Sequence, residues 1–209
     1  MPNKKLTINF ITSNKNKVKE FKQILEPEIK VAHIEMSYPE LRSDDSEEIA
    51  RQSAEMLANT LKNSKRIFGA QKISKKFSRE LKKPVVVEDS GLFIKALNDF
   101  PGTCSAYIHK RIGLQGIIKL MEGVKDRECT YRSAVAYCEP EKKPISFLGE
   151  EKGKVAEGIR GHYGFGHDPI FIPERSDKTY GEMENYKELK KFRRRAVEKL
   201  RWYLLRKIK

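Results

Sequence analysis

Cysteine is scarce in this chain: three in 209 residues, Cys104, Cys129 and Cys138. An odd set without metal-type spacing argues against a disulfide framework or a zinc ribbon, and it fits a reduced, cytoplasmic protein. Cys129 and Cys138 fall in an alternating strand pattern and read as packing residues. Long apolar runs are missing too. No stretch approaches the roughly 20 apolar residues of a membrane span. Leu6 to Thr12 is too short for a signal peptide, and Lys15 and Lys17 follow it at once. The glycine spacing of a Walker loop is absent. His33, His109, His162 and His167 show no metal-ligand spacing, and no repeat or low-complexity linker appears.

Charge, by contrast, is abundant. Charged residues make up 34% of the chain and the net charge is +14. Residues 62–83 carry nine Lys/Arg against Glu80, and residues 187–209 carry eleven against Glu188 and Glu198. The remainder is close to balance, so the basic character is regional. Such segments can hold polyphosphate, touch RNA, or form a solvated surface. Nucleic acid is therefore a possible partner, though not the one expected to be the main job.

Strands and helices interleave along the chain, which predicts an α/β protein. Leu6, Ile8 and Phe10 alternate as a first strand. Ser13 to Asn16 is a polar turn, followed by a helix with Val18, Phe21, Ile24 and Leu25 on one face. A second strand spans Val31 to Met36, and Ser46 with Glu47 and Glu48 opens a helix whose apolar face is Ile49, Ser53, Met56, Leu57 and Leu61. Residues 62–83, with scattered Ile67, Phe68, Ile73, Phe77 and Leu81, read as a helix extension plus an exposed basic loop. Phe100 to Tyr107 is turn chemistry, Ile112 to Met121 is helical, and residues 129–138 and 144–157 alternate as a hairpin. A last strand, Ile170 to Ile172, precedes one long basic helix over 186–209.

Val85-Val86-Val87-Glu88-Asp89-Ser90-Gly91 carries the most information. A β-branched run ends at two acids, and an isolated carboxylate in an apolar interior is very costly. The acids are therefore expected at a strand end, in a cleft, with Gly91 letting backbone approach a ligand. Carboxylates so placed hold a hard cation such as Mg²⁺ or take a proton from water. An acidic turn between two strands fits the same residues. Glu40, after Tyr38-Pro39, would add a further carboxylate to a metal site.

Thr12-Ser13-Asn14-Lys15-Asn16-Lys17 lies between a strand and a helix start. Backbone N–H groups and the helix dipole favour an anion there, and Lys17 adds a mobile positive charge. Gly164-Phe165-Gly166-His167-Asp168-Pro169 sets a ring between two glycines. That suits a flat heterocycle, with Asp168 accepting from base or ribose; a glycine-rich turn with Phe165 buried is the plainer reading.

Taken in order, the turn at Thr12 to Glu20, Tyr38-Pro39-Glu40, Glu88 to Leu92, Pro101 to Ala106 and Gly164 to Phe171 resemble the inosine triphosphate pyrophosphatase family, archaeal members above all. The resemblance runs from Thr12 to about Ala196. It implies an elongated mixed sheet flanked by helices, in a single domain over 1–209 with two lobes and a cleft, usually a homodimer. It also implies Mg²⁺-dependent hydrolysis of ITP, dITP or XTP to the monophosphate and pyrophosphate. Thr12, Asn14 and Lys17 would hold phosphates, and Glu40 and Asp89 would bind metal. Asp89 would orient or deprotonate the attacking water, with Ser90 and Gly91 shaping the phosphate loop. Phe165 and Gly166 would receive the purine, Asp168 the nucleoside, and Lys187 and Arg193 phosphate or base.

The departures fall where the substrate is selected. The family's Ser-His-Arg reads Lys191-Phe192-Arg193 here, so the histidine that contacts the purine 6-oxo group is missing. The lysine expected on the helix after Glu40 is absent, with Ser53 or Glu55 in that region and Arg51 nearby. Cys104 stands for a tyrosine and Arg42 for a glutamine. Against the family the stretch over 62–83 is longer, which makes it a basic insertion. These changes leave two alternatives: a catalytically weakened nucleotide- or RNA-binding protein of the same fold, or a pyrophosphatase with a different base preference.

Overall fold

The computed structural model describes residues 5–26, 28–39, 41–62 and 82–208. Glu40 and residues 63–81 of the basic insertion lie outside the described residues. The elements run β1 (Thr7–Ile11), α1 (Lys15–Leu25), β2 (Lys30–Ile34), α2 (Ser46–Lys62), β3 (Val85–Ile94) and β4 (Phe100–Pro101). They continue with α3 (Ser105–Leu120), β5 (Glu128–Cys138), β6 (Ile145–Val155), β7 (Phe171–Pro173), α4 (Tyr186–Leu189) and α5 (Phe192–Lys207). Among the described residues the strands form a seven-stranded mixed sheet in the order β2-β1-β3-β5-β6-β7, with β4 on β3. β1 is parallel to β2 and β3, whereas β3–β4 and β6–β7 are antiparallel. This is the α/β class that the interleaved pattern predicts.

The chain divides into two compact units. Unit 1 holds Met1–Asp89, Ala134–Leu148 and Ala196–Lys209; unit 2 holds Ser90–Ser133 and Gly149–Arg195. Strand alternation builds the two cores of unit 1. Val86, Val135 and Tyr137 pack with Val18, Phe21 and Leu200, while Val85, Val87, Ala134 and Ala136 pack with Ala50, Ala54 and Leu57 of α2. Unit 2 has one core, in which Leu92, Ile117, Tyr131, Phe171 and Phe192 meet.

Four expectations change. First, Glu88 and Asp89 do not end a strand; β3 runs through them to Ile94. The strand tolerates Glu88 because Lys17 pairs with it. Second, the buried face of α2 is Ile49, Ala50, Ser53, Ala54, Leu57 and Ala58, and Met56 is exposed. Third, α3 begins at Ser105, earlier than the periodicity suggests, and Gly113 (φ 64°, ψ −170°) breaks it into two helical stretches. Fourth, the basic C-terminal segment is two helices, not one. At Lys190 the backbone turns extended (φ −69°, ψ 116°) and the side chain goes inward.

Candidate functional site

In unit 1 the turn after β1 is built by its own side chains. Asn14 caps α1: its side-chain oxygen accepts from the backbone N–H of Asn16 (2.9 Å) and Lys17 (3.3 Å). Thr12 Oγ1 accepts from Asn14 N–H at 3.1 Å. His33 Nε2 lies 2.8 Å from the carbonyl oxygen of Thr12. The amide oxygen of Asn14 is thus committed to its helix, which leaves its NH₂ as the donor for an anion.

Lys17 was expected to be mobile, and it is held instead. Its ammonium sits 2.6 Å from Glu88 Oε2 and donates to the Glu88 carbonyl at 3.2 Å, with the carboxylate side chain fully buried. Two of its three N–H groups are thereby engaged, and the third remains for an anionic ligand. Alternation along β3 puts Glu88 with Val86, on the face of α1, and Asp89 with Val85 and Val87, on the face of α2. The two adjacent acids therefore do not share a metal. Glu88 serves Lys17, and Asp89 stands on the opposite face, half-buried.

Among the described residues no group of three or more His, Cys, Asp or Glu is placed to hold a metal ion. Mg²⁺ fits this inventory nonetheless. It usually takes one or two protein carboxylates and completes its shell with phosphates and water, and Asp89 offers one hard oxygen ligand.

In unit 2 the Gly164–Asp168 loop closes on itself. Asp168 is fully buried; its Oδ2 accepts from Phe165 N–H at 2.8 Å and from the Lys190 ammonium at 2.8 Å, and its Oδ1 accepts from the Tyr131 hydroxyl at 3.1 Å. Gly164 has φ 79°, and a Cβ there would meet Asp168 Oδ2 at 2.2 Å. Within unit 2 Asp168 shapes the Phe165 loop and anchors Lys190. Phe165 is half-buried, beside Gly166 (φ 64°).

Ser90 and Arg193 come together. The guanidinium, on a residue only 2% exposed, donates to Ser90 Oγ at 3.1 Å and lies 5.7 Å from the Phe165 ring centre. Lys187 is exposed on α4, its ammonium 5.8 Å from the Tyr186 ring. Gly91 lies on β3, packed against the Gly102 backbone. A Cβ there would lie 2.1 Å from the Gly102 carbonyl oxygen, so this strand position has to stay bare. Phe192 is buried in a ring stack on Tyr131 (centroids 4.7 Å apart), and Tyr131 in turn stacks on Phe171.

Two residues that sequence reasoning missed organise this region. Lys190 is one. Glu151 is the other: buried in β6, it accepts from the backbone N–H of Lys191 (2.8 Å) and Phe192 (3.3 Å) and from the Tyr180 hydroxyl (2.6 Å). It caps α5 with a charge at the positive helix end. Neither carried a signal, since one is a lysine among lysines and the other a glutamate in a Glu-Glu pair. The basic C-terminal residues are also largely spent on the protein. Arg195 donates to the Glu150 carbonyl and Lys199 to that of Leu148, while Arg201 pairs with Glu28 and Lys207 with Glu139.

These features define an α/β protein with a capped, lysine-bearing strand-to-helix turn in one unit and a lysine ringed by aromatics in the other. The chain belongs to the Ham1 family, whose family model matches residues 8–203. It is 43% identical to a dITP/XTP pyrophosphatase of Methanopyrus kandleri over 95% of this chain and 96% of that protein. It is 40% identical to one of Methanothermobacter marburgensis, with the same coverage of each chain. Its fold is similar to a HAM1 protein from Coxiella burnetii (TM-score 0.70, 27% identity, 96% and 99% coverage). The Staphylococcus aureus Ham1 protein shares it too (TM-score 0.74, 24% identity, 96% and 99% coverage). Among the described residues no helix is long and apolar enough to cross a membrane.

Proposed function

We propose that this chain hydrolyses non-canonical purine nucleoside triphosphates (ITP, dITP, XTP) to the monophosphate and pyrophosphate, in nucleotide-pool sanitation. The observation that carries the reading is its likeness, over nearly its whole length, to relatives named dITP/XTP pyrophosphatase. Water attacks the α-phosphorus, the bond to the β-phosphate oxygen breaks, and pyrophosphate leaves. Three phosphates bring several negative charges, and positioned donors lower the barrier where further charge develops. The Asn14 amide, the Thr12 turn and the remaining Lys17 N–H supply such donors in unit 1.

Asp89 orients or deprotonates the attacking water, and Glu40 with Asp89 would hold the metal. Mg²⁺ held by these carboxylates would supply charge neutralisation for the triphosphate. In unit 2 Phe165 and Gly166 receive the base, and the Arg193–Ser90 contact fixes the guanidinium beside the ring. Lys187, exposed on α4, is positioned to meet a phosphate or the base only from solvent. A homodimer and a cytoplasmic location complete the reading.

The test is pyrophosphate release with Mg²⁺ from a panel of NTPs and dNTPs. ITP, dITP and XTP should lead, and no release from any of them overturns the activity. Asp89→Asn should lower release by about 10²–10³-fold or more while circular dichroism and unfolding stay near wild type. Retained activity would remove Asp89 from the chemistry.

A further inference from the structure

Lys190 is a buried cation of unit 2, its side chain 5% exposed. Its ammonium lies 4.3 Å from the ring centre of Phe165, 5.5 Å from Phe192, 5.7 Å from Tyr131 and 5.9 Å from Tyr186. Among the described residues Asp168 Oδ2, at 2.8 Å, is the one hydrogen-bond acceptor the structure gives it. An ammonium has three N–H groups and no lone pair. One carboxylate oxygen and four ring faces satisfy its charge but leave N–H groups without oxygen partners, and ring faces are the weaker substitute. The shell is short of an oxygen acceptor, and the nearest ring to it is Phe165, the residue proposed to receive the base.

We propose that Lys190 is a specificity-determining residue, donating a hydrogen bond to the oxo oxygen of a purine bound at the Phe165 loop. The inference rests on the function proposed above and deepens it by naming what reads the base. Phe192, buried in the ring stack, offers no donor to a ligand. A donor-only ammonium suits hypoxanthine and xanthine, whose O6 and N7 both accept. It opposes adenine, whose 6-amino group presents N–H where the oxo group would be. A buried polar group left unmatched by the wrong ligand discriminates strongly, well beyond what shape alone gives. Asp168 is then a positioning residue: it aims the ammonium and ties the Phe165 backbone to the same oxygen.

The test is a double variant, Lys190→Met with Asp168→Asn, which keeps the stem volume and removes both buried charges together. Two ratios are read: kcat/KM for ITP against ATP, and the affinity for IMP against AMP by calorimetry. Both preferences should fall at least tenfold. Equal losses on both bases, with the ratios unchanged, would make Lys190 structural and overturn the assignment. Because the binding ratio needs no turnover, the two readings fail separately. A wild-type protein that hydrolyses nothing but prefers IMP, with the preference lost in the variant, keeps Lys190 and overturns the activity. Should the double variant not fold, Lys190→Arg gives the same readout, since its planar fork cannot reproduce the lysine's donor directions. A preference lowered at least threefold supports the assignment, and an unchanged one overturns it.

Discussion

Each unit sets a lysine against a buried carboxylate, and the two pairs differ in what surrounds them. In unit 1 Lys17 meets Glu88 at 2.6 Å, keeps 17% of its side chain exposed, and adds a backbone carbonyl. In unit 2 Lys190 meets Asp168 at 2.8 Å, keeps 5% exposed, and is boxed by rings. The first pair sits under a polar turn with backbone N–H groups; the second is buried among aromatic rings. One setting suits a hydrated, highly charged ligand end, the other a flat and nearly neutral one. The same two residue types thus divide into a polar and an aromatic environment through their neighbours alone.

Removing the acid from each pair is the sharpest way to break this contrast. Asp168→Asn leaves the Lys190 ammonium buried and uncompensated, and it should cost about 3–5 kcal/mol of stability. Glu88→Gln leaves an ammonium that can swing toward water, so roughly 1–2 kcal/mol is expected. Denaturant unfolding of the two variants measures both. Equal costs would mean that the ring box contributes nothing to the second pair's isolation.

The helix caps extend the comparison. Unit 1 caps α1 with the neutral amide of Asn14, and unit 2 caps α5 with the buried carboxylate of Glu151. Glu151→Gln removes the negative charge that faces the α5 N-terminus, so about 1 kcal/mol should be lost. Asn14→Ala should cost about 1 kcal/mol. It should also raise KM for the triphosphate through the lost NH₂ donor, whereas Glu151→Gln should change the ITP-to-ATP ratio by loosening Lys190 and Arg193. Unfolding and steady-state kinetics on both variants separate the effects. A Glu151 variant that shifts neither quantity would show α5 to be held by packing alone.

The two halves also differ in how much of them is legible in the sequence. The Asn14 turn is readable because a strand, a polar cap and a helical face follow one another locally. Asp89 is readable as an acid next to a β-branched run, but its separation from Glu88 is not, because only continuation of β3 past both acids puts them on opposite faces. Lys187, Lys190 and Lys191 look alike in a basic stretch. Helical periodicity treats them as one solvated run, and nothing local announces the break that sends Lys190 inward. That break is set by partners far along the chain, Asp168 and Glu151, so it is a tertiary fact. The alternation of β5 and β6 and the packing of Cys129 and Cys138, by contrast, follow from period two. Burial pushes the Cys129 thiol pKa upward, in line with an inert packing residue.

The smallest expected effect tests how dry the unit 2 environment is. His167 is buried, packs edge-on against His109 with centroids 5.2 Å apart, and has its Nε2 without a hydrogen-bond partner among the described residues. Burial first, then His109, push its pKa down to about 4; Asp168 pulls it up and Lys190 pushes it further down. The unfolded chain would protonate this imidazole near pH 6.5. The native state therefore binds fewer protons between about pH 6.5 and 4, and stability falls as pH is lowered through that window. Between pH 7 and 5.5 the loss from this one group is about 1 kcal/mol. His167→Phe keeps the ring and removes the titration, so its stability should fall by that much less over the same interval. Chemical unfolding at the two pH values measures the difference, and parallel slopes for the two proteins would mean that water reaches the imidazole and that the base-side environment is wetter than its burial indicates.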